Sequence, residues 1–219
     1  MEIKLFLDFE EEYSLRHANY ENRISRAEEL WSYLAKKSNN EHVLELNKFR
    51  NYIEKVQFTH LGFSQKDYFL HILRVASMAG IVNTDYPILS TKVGFLHNIY
   101  EVTNLDSSQI SLEFGNEIKE ILNILKIDRK LQNSYTYLEV YYEKIYKLPF
   151  NLGVVKVLDK LDNLYSLNDT ATAERKEGYL LEIDTYVVPL CKKVAPQILP
   201  TLSDTINKVK TLPVNRGDG

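Results

Sequence analysis

Glycine and proline are scarce in this chain, and their scarcity restricts the possible folds more than any other feature of the sequence. Only 8 Gly and 6 Pro occur among 219 residues, and the first glycine is Gly62. An all-β sandwich or barrel needs turn residues about every ten positions, so that class of fold is excluded. No β-branched runs alternate with helical segments, which also argues against a βαβ architecture. The sequence therefore predicts an all-α protein.

Hydrophobic spacing predicts where the helices lie. Residues 10–37 carry one apolar helical stripe and residues 46–56 carry a second, with the polar break Ser38-Asn39-Asn40 between them. These two amphipathic segments predict an N-terminal helical hairpin. A buried helix is expected from Gln65 to about Gly80, and another helix from Pro87 to about Thr103. Further helices are predicted for a short segment ending at Phe114-Gly115 and at about 116–127, 134–147, 150–167, 174–194 and 198–211.

No internal repeat or linker divides the chain, so we expect one main helical domain. The predicted organisation is an N-terminal extension packed on the core (1–57), a helical domain (58–212) and a flexible tail (213–219). The extension also offers a surface for oligomer formation, because the stripe that contains Trp31 needs cover from its own hairpin or from a second chain.

Composition excludes several classes of partner. The net charge is −3 and no basic block occurs, so neither nucleic acid nor an anionic membrane surface is expected as a partner. The longest apolar stretches are shorter than the roughly 18 residues that span a bilayer. Acidic residues follow directly after the first six residues, where a signal peptide would be apolar, and the chain has one cysteine. These features predict a cytoplasmic protein.

Two histidines and one aspartate lie within apolar runs where polar side chains are costly to bury. His71 is found in YFLHIL, His97 in GFLHNI and Asp159 in VVKVLDKL. One interpretation is that these are core side chains that hydrogen-bond to protein groups without any cation. The other is a divalent cation site, because imidazole and carboxylate are ordinary ligands for Mn, Fe or Zn. Asn98 would add an amide oxygen, and Glu101 lies one turn beyond His97 on the same helical face.

These residues also resemble the H…HD…D ligand set of the HD-domain metal-dependent phosphohydrolases, and the branch that hydrolyses the alarmone (p)ppGpp (the RelA/SpoT type) in particular. The segment YFLHILRVA resembles Y-x-x-H-P-L-x-V-A of that branch, HNIYEVT resembles H-D-x-x-E-D-T, and VKVLDKLDNL resembles V-K-L-A-D-R-L-x-N-L. Residues 110–118 resemble I…F-G-x-E-V, and His60-Leu61-Gly62 resembles the start of H-x-G-Q. The resemblance covers roughly residues 58–190.

The resemblance implies an HD-domain helical bundle with an added N-terminal hairpin, one divalent metal ion and a phosphorylated small-molecule substrate, a nucleotide in this branch. The metal is usually manganese in this branch, and its ligands would be His71, His97, Asn98 and Asp159. Glu101 would place or activate the attacking water. The matching substrate-binding positions are Lys130, Asn163 and Tyr186.

Three departures from the family pattern leave two other functions open. Asn98 stands where the family has the Asp of the HD dyad, and Val102 stands where it has the Asp of E-D-T. The basic element before the metal helix is shortened to Ser64-Gln65-Lys66. The first interpretation is a metal-dependent phosphohydrolase for a phosphoester or pyrophosphate ester such as (p)ppGpp. The alternatives are a degenerate HD protein that binds nucleotide or metal without turnover, and a purely structural polar cluster.

Overall fold

The computed structural model describes residues 5–60 and 63–214. Leu61 and Gly62 of the H-x-G-Q-like segment, and residues 215–219 of the predicted tail, lie outside the described residues. Within the described ranges the chain is all-α and contains no strand, as the sequence predicts. The described part also contains no helix that is long and apolar enough to cross a membrane.

The α-helices are numbered here in chain order, with two short 3₁₀ segments and one π-helical segment between them. Their bounds are α1 Phe9–His17, α2 Tyr20–Lys37, α3 Asn40–Ile53, α4 Gln65–Val82, α5 Pro87–Leu96, α6 Ile99–Val102, α7 Ser107–Phe114, α8 Asn116–Leu125, α9 Tyr135–Tyr146, α10 Val154–Leu164, α11 Leu167–Thr170, α12 Ala173–Glu182, α13 Val188–Val194 and α14 Leu199–Thr211. The 3₁₀ segments are Pro149–Asn151 and Pro196–Ile198, and the π-helical segment is Ile183–Val187.

The N-terminal extension contains three helices, because the predicted helix over residues 10–37 is divided. Ala18 is extended, and the side chain of Asn19 accepts a hydrogen bond from the backbone N–H of Asn22 at 3.0 Å, which starts a new helix. The apolar stripe continues across the break because α1 and α2 both face the core. Helix α2 packs on α4, and α3 packs on α5.

Helix α4 is the centre of the molecule, and 13 of its 18 residues are buried. It contacts α2, α5 and α10, so it is covered on several sides. An all-round apolar sequence is typical of such a helix, whereas a surface helix has one apolar stripe. A polar side chain in the stretch 70–80 of α4, where every residue is buried, therefore lies in the protein interior.

The predicted helix from Pro87 to Thr103 is interrupted at His97 and Asn98. Helix α5 ends at Leu96, and Nδ1 of His97 lies 2.7 Å from the carbonyl oxygen of Gly94 in the last turn. The imidazole thus satisfies a carbonyl group that the ending helix leaves without a partner. This arrangement places His97 at a helix end, where its ring turns toward α4.

Candidate metal centre

His71, His97 and Asp159 converge in the interior although each comes from a different element. His71 lies in α4, His97 follows the end of α5, and Asp159 lies in α10. Each offers one ligand atom, and these atoms all lie within 4.8 Å of one another. The Nε2 atoms of His71 and His97 are 3.5 and 3.4 Å from Oδ1 of Asp159. All three side chains are buried.

Hydrogen bonds on the outer side of each imidazole fix which nitrogen faces the cluster. Nδ1 of His71 is 2.8 Å from a carboxylate oxygen of Asp162, and Nδ1 of His97 is 2.7 Å from the carbonyl oxygen of Gly94. Both partners only accept hydrogen bonds, so the proton of each ring is on Nδ1. In the neutral rings, the two Nε2 lone pairs therefore point toward the carboxylate of Asp159. Metal-binding histidines have this arrangement.

Asp159 is ionised and held in place by its own helix. Burial by itself raises the pKa of this carboxyl, but the adjacent charge of Lys156 opposes this effect most strongly, and the pKa lies well below its usual range. Nζ of Lys156 is 3.0 Å from Oδ2, and Nδ2 of Asn163 donates to Oδ1 at 2.8 Å. Lys156 therefore neutralises one carboxylate oxygen, and the other faces the two imidazoles.

The residues present fit a divalent cation. Nε2 of His97 is buried and has no hydrogen-bond partner among the described residues. A buried polar atom without a partner costs about 1–3 kcal/mol. Two atoms that both lie about 2.1 Å from a tetrahedral ion are ~3.4 Å apart, close to the separations of both Nε2 atoms from Asp159. A bound cation would thus satisfy three acceptors that otherwise face one another.

Glu101 lies near Lys156, the lysine that binds Asp159, and is paired with an arginine. Its side chain is only 6% exposed, while Arg129 is 53% exposed and places Nη2 2.5 Å from Oε2 of Glu101. Glu101 is also close enough to Lys156 and Tyr141 that its charge contributes to raising the pKa of both groups. Arg129 therefore pairs with the buried carboxylate of Glu101 from the protein surface.

Asn98 and Val102 occupy the two positions that depart from the family pattern. Asn98 is half-buried, and its side chain lies near the hydroxyl of Tyr68. Burial raises the pKa of Tyr68 although Asn98 lowers it in part. Val102 is buried, and its carbonyl oxygen accepts a hydrogen bond from the N–H of Thr59 at 2.7 Å. Neither side chain supplies negative charge to the site.

The three positions that match substrate-binding residues have different surroundings. Asn163 contacts Asp159 directly, as described above. Lys130 is exposed in the turn after α8, and its backbone N–H donates to Asp128 at 2.9 Å. Tyr186 lies in the π-helical segment, and its ring stacks on that of Tyr142 with centroids 5.0 Å apart.

Three charged residues of this region were missed by the sequence analysis: Lys156, Asp162 and Arg129. Lys156 and Asp162 lie in the same run, VVKVLDKLDNL, that marked Asp159. A charged residue within an apolar helical run indicates burial, and this pattern could have identified both Lys156 and Asp162, since both are buried. Arg129 gave no such signal, since it is one of several polar residues in a short turn.

Comparison with known proteins gives similarity in structure only. No family profile matches the sequence, and no curated protein is significantly similar to it. A solved structure of a metazoan ortholog of SpoT that hydrolyses ppGpp and plays a role in starvation responses matches with a TM-score of 0.60 at 17% identity. The match covers 80% of this chain and 99% of that one. The chain has the helical fold of the HD-domain hydrolases.

The fold and resemblance predicted from the motifs are thereby confirmed at the level of architecture. At 17% identity the likeness establishes the fold and leaves activity and substrate to be argued from the site. The cluster of His71, His97 and Asp159 could hold a divalent metal ion within this fold.

Proposed function

We propose that this protein is a divalent-metal-dependent phosphohydrolase acting on a nucleotide-like phosphoester or pyrophosphate ester. The observation that carries the proposal is the convergence of three ligand atoms within 4.8 Å, with the outer nitrogen of each histidine already bound to an acceptor. Nε2 of His97 makes no hydrogen bond among the described residues, and a cation held between it and Asp159 would give this buried atom a partner. Manganese is the proposed ion, with iron or zinc as alternatives, since imidazole and carboxylate suit all three.

The chain's own residues supply positioning and proton transfer. A bound cation lowers the pKa of water and neutralises charge on a phosphate group. Glu101 is the proposed acceptor of the water proton, because its carboxylate is buried near Lys156, which binds Asp159. Lys156 and Asn163 keep the Asp159 carboxylate in one orientation. Asn98 is the proposed fourth, neutral ligand.

Substrate recognition is proposed for the three positions that match the substrate-binding residues of the family. Lys130 and Asn163 are the candidate contacts to phosphate or ribose, and Tyr186 is the candidate contact to the nucleotide. The structural neighbour hydrolyses ppGpp, so (p)ppGpp is the first substrate to test. The proposed setting is the cytoplasm, with no nucleic-acid or membrane partner, and any oligomer forms through the N-terminal helices.

A second candidate function is binding of nucleotide or metal without turnover. It is favoured by the neutral residues at Asn98 and Val102, because each removes an acidic group that the family motif has near the reacting phosphate. Val102 is apolar and buried, so no acid is available at that position.

Two measurements separate the proposals. Titration of chelator-treated protein with Mn²⁺, Fe²⁺ and Zn²⁺ by calorimetry tests the metal site, and absence of binding contradicts the first function and leaves only nucleotide binding of the second. A nucleotide panel that includes (p)ppGpp, assayed with Mn²⁺ for released phosphate or pyrophosphate, then tests turnover. Binding without any product supports the second function and contradicts the first.

Asn98→Asp tests the fourth ligand position directly. The added negative charge is expected to tighten Mn²⁺ binding on the order of tenfold, or about 1.4 kcal/mol, since ligand charge contributes to affinity. Calorimetry measures the change, and Asn123→Asp, an exposed substitution on α8, is the matched control. Equal affinities in Asn98→Asp and the wild type would show that Asn98 does not contact the cation.

A further inference from the structure

Asp162 is a buried carboxylate that contacts the metal cluster only through His71. Oδ2 of Asp162 is 2.8 Å from Nδ1 of His71, and the side chain is 2% exposed. It lies one turn after Asp159 on α10, so the same helix carries a candidate ligand and a partner of another ligand. Asp162 and His71 are separated by 91 positions in sequence, so only the packing of α4 on α10 joins them.

Two arginines saturate the remaining acceptor sites of this carboxylate. Arg74 of α4 donates from Nε to Oδ1 at 2.9 Å and from Nη2 to Oδ2 at 3.0 Å. Nη1 of Arg16, from α1, is 2.7 Å from Oδ1. Arg16 is in turn held by Glu12, which also binds Arg26 of α2. Arg16 therefore links α1 to Asp162, the carboxylate that hydrogen-bonds to His71.

We propose that Asp162 is a positioning residue of the metal site that keeps the ring proton of His71 on Nδ1 and its Nε2 lone pair free for the cation. This inference rests on the proposed metal site, and it is independent of which substrate is cleaved or whether any is. A carboxylate is required here because both of its oxygens accept, whatever the rotation of the side chain. The fork of Arg74 binds both oxygens, and Arg16 adds a contact to Oδ1.

The nearly isosteric amide of asparagine separates the positioning role from a space-filling one. In Asp162→Asn the two arginines face the amide and can only donate, so they select its oxygen. The NH₂ group of the new amide is then turned toward Nδ1 of His71. The ring proton moves to Nε2, where it points at Asp159 and blocks metal binding. In a serine protease the equivalent carboxylate-to-amide change also produces the wrong tautomer.

The experiment compares Asp162→Asn, the charge-balanced double variant Arg16→Gln with Asp162→Asn, and Arg16→Gln alone. Asp162→Asn alone leaves the charges of Arg16 and Arg74 buried near each other without a carboxylate, and this variant can fail to fold. The double variant also removes the charge of Arg16, so that a folded protein with Asn at position 162 is available for the test. Arg16→Gln is the matched control, since it removes one buried charge and leaves the fork between Arg74 and Asp162 intact. Circular dichroism and thermal unfolding identify the variants that are folded.

Two readouts are used, and neither depends on turnover. Long-range ¹H–¹⁵N NMR of the metal-free protein reports the His71 tautomer, and calorimetry with Mn²⁺ reports affinity. We expect the Nδ1–H tautomer in wild type and Arg16→Gln. Asp162→Asn and the double variant are both tested, and the prediction applies to each one that folds. In it we expect the Nε2–H tautomer and Mn²⁺ binding weaker by about 10–100-fold.

The Nδ1–H tautomer with wild-type affinity in the protein that carries Asp162→Asn would overturn the proposal. Equal weakening of Mn²⁺ binding by Arg16→Gln alone would overturn it as well, because that variant keeps the carboxylate. Normal Mn²⁺ binding by the wild type without hydrolysis of any nucleotide would contradict the proposed enzyme function and leave this inference intact.

Discussion

Arg129 lies between solvent and the buried carboxylate of Glu101. Its guanidinium is half exposed, so its remaining N–H groups are available to an anion that approaches the site. While Arg129 is paired with Glu101, the carboxylate is partly neutralised. If the proposed substrate brought a phosphate group to Arg129, Glu101 would be released for proton transfer, so we expect Arg129 to contact phosphate more strongly than its neighbour Lys130 does.

Arg129→Ala is therefore expected to weaken nucleotide binding more than Lys130→Ala. Loss of a charge-assisted contact to phosphate predicts a roughly tenfold increase in KM or Kd for the Arg129 variant. Lys130→Ala, which changes an exposed side chain in the same turn, should alter either constant less than about threefold. Titration of both variants with the nucleotide that the panel identifies checks this, and the reverse order would favour Lys130.

At the scale of elements, the close approach of α4 and α5 determines the distance between His71 and His97. A Cβ atom built at Gly94 would lie 2.6 Å from the Cα of Ala76, which is backbone and cannot move aside. Glycine is required at this position because the two helices touch there. Near this contact, the imidazole rings of His71 and His97 have centroids 5.4 Å apart.

Gly94→Ala is expected to separate α4 from α5 and to lower both stability and metal affinity. Overpacking of this kind costs about 1–3 kcal/mol, measured as the free energy of unfolding in urea. The control is Gly178→Ala in α12, where an added Cβ meets nothing within 4 Å. That variant should be as stable as wild type or more stable by up to about 1 kcal/mol. Equal effects of the two substitutions would contradict the role of the contact.

The attachment of α1 to α10 through charged groups predicts a pH dependence of stability. Burial raises the pKa of Glu12, but Arg16 and Arg26 outweigh it and lower that pKa below the ordinary value of 4.5. Burial also raises the pKa of Asp162, but Arg16 and Arg74 outweigh it and hold that pKa well below 3.8. A depressed folded-state pKa stabilises the fold above the unfolded value and loses that contribution as pH falls through the folded value.

The free energy of unfolding of the metal-free protein should therefore decrease as pH falls below about 4.5. Urea titrations between about pH 7 and pH 3 measure it. Glu12→Gln should be less stable than wild type at neutral pH and should depend less on pH. Glu143→Gln, which removes an exposed carboxylate, should not change stability to this extent. A wild-type curve that stays flat over the whole acidic range would show that these ion pairs add no net stability.

At the scale of the whole molecule, a cation at the cluster would join three separate parts of the chain. His71, His97 and Asp159 come from three elements that pack around the centre of the fold. A ligand that binds only the folded state stabilises it by about 2.7 kcal/mol at a concentration about 100 times its Kd. Metal binding and global stability are therefore expected to be coupled.

Saturating Mn²⁺ should raise the Tm of chelator-treated protein by about 5–10 °C, measured by calorimetry. His97→Gln should abolish most of this shift, because it removes a proposed ligand. His42→Gln changes a histidine on α3 that is remote from the cluster in sequence and should leave the shift intact. A shift of equal size in both variants would mean that Mn²⁺ binds elsewhere.

The division into an extension over residues 1–57 and a domain over 58–212 stays a prediction. The contacts of α2 with α4 and of α3 with α5 are consistent with an extension packed on the core. Arg16 adds an ion pair between the two parts, since it binds Asp162 of α10.

The sequence by itself determined the helical class and the positions of the three clustered residues. Both follow from local signals, because scarce Gly and Pro and the spacing of apolar residues act within single helices. A His or Asp inside an apolar run, as at His71 and Asp159, is unusual wherever that helix packs. The break at Asn19 was missed because the apolar stripe continues across it.

Only the tertiary structure decided which atoms face one another. Asp162 meets His71 and Arg16, and Arg129 rather than Lys130 reaches Glu101, through contacts between elements far apart in sequence. Such contacts depend on the rotation and register of whole helices, which are fixed by side-chain packing across the core. Local sequence identifies buried charges, and helix packing selects their partners.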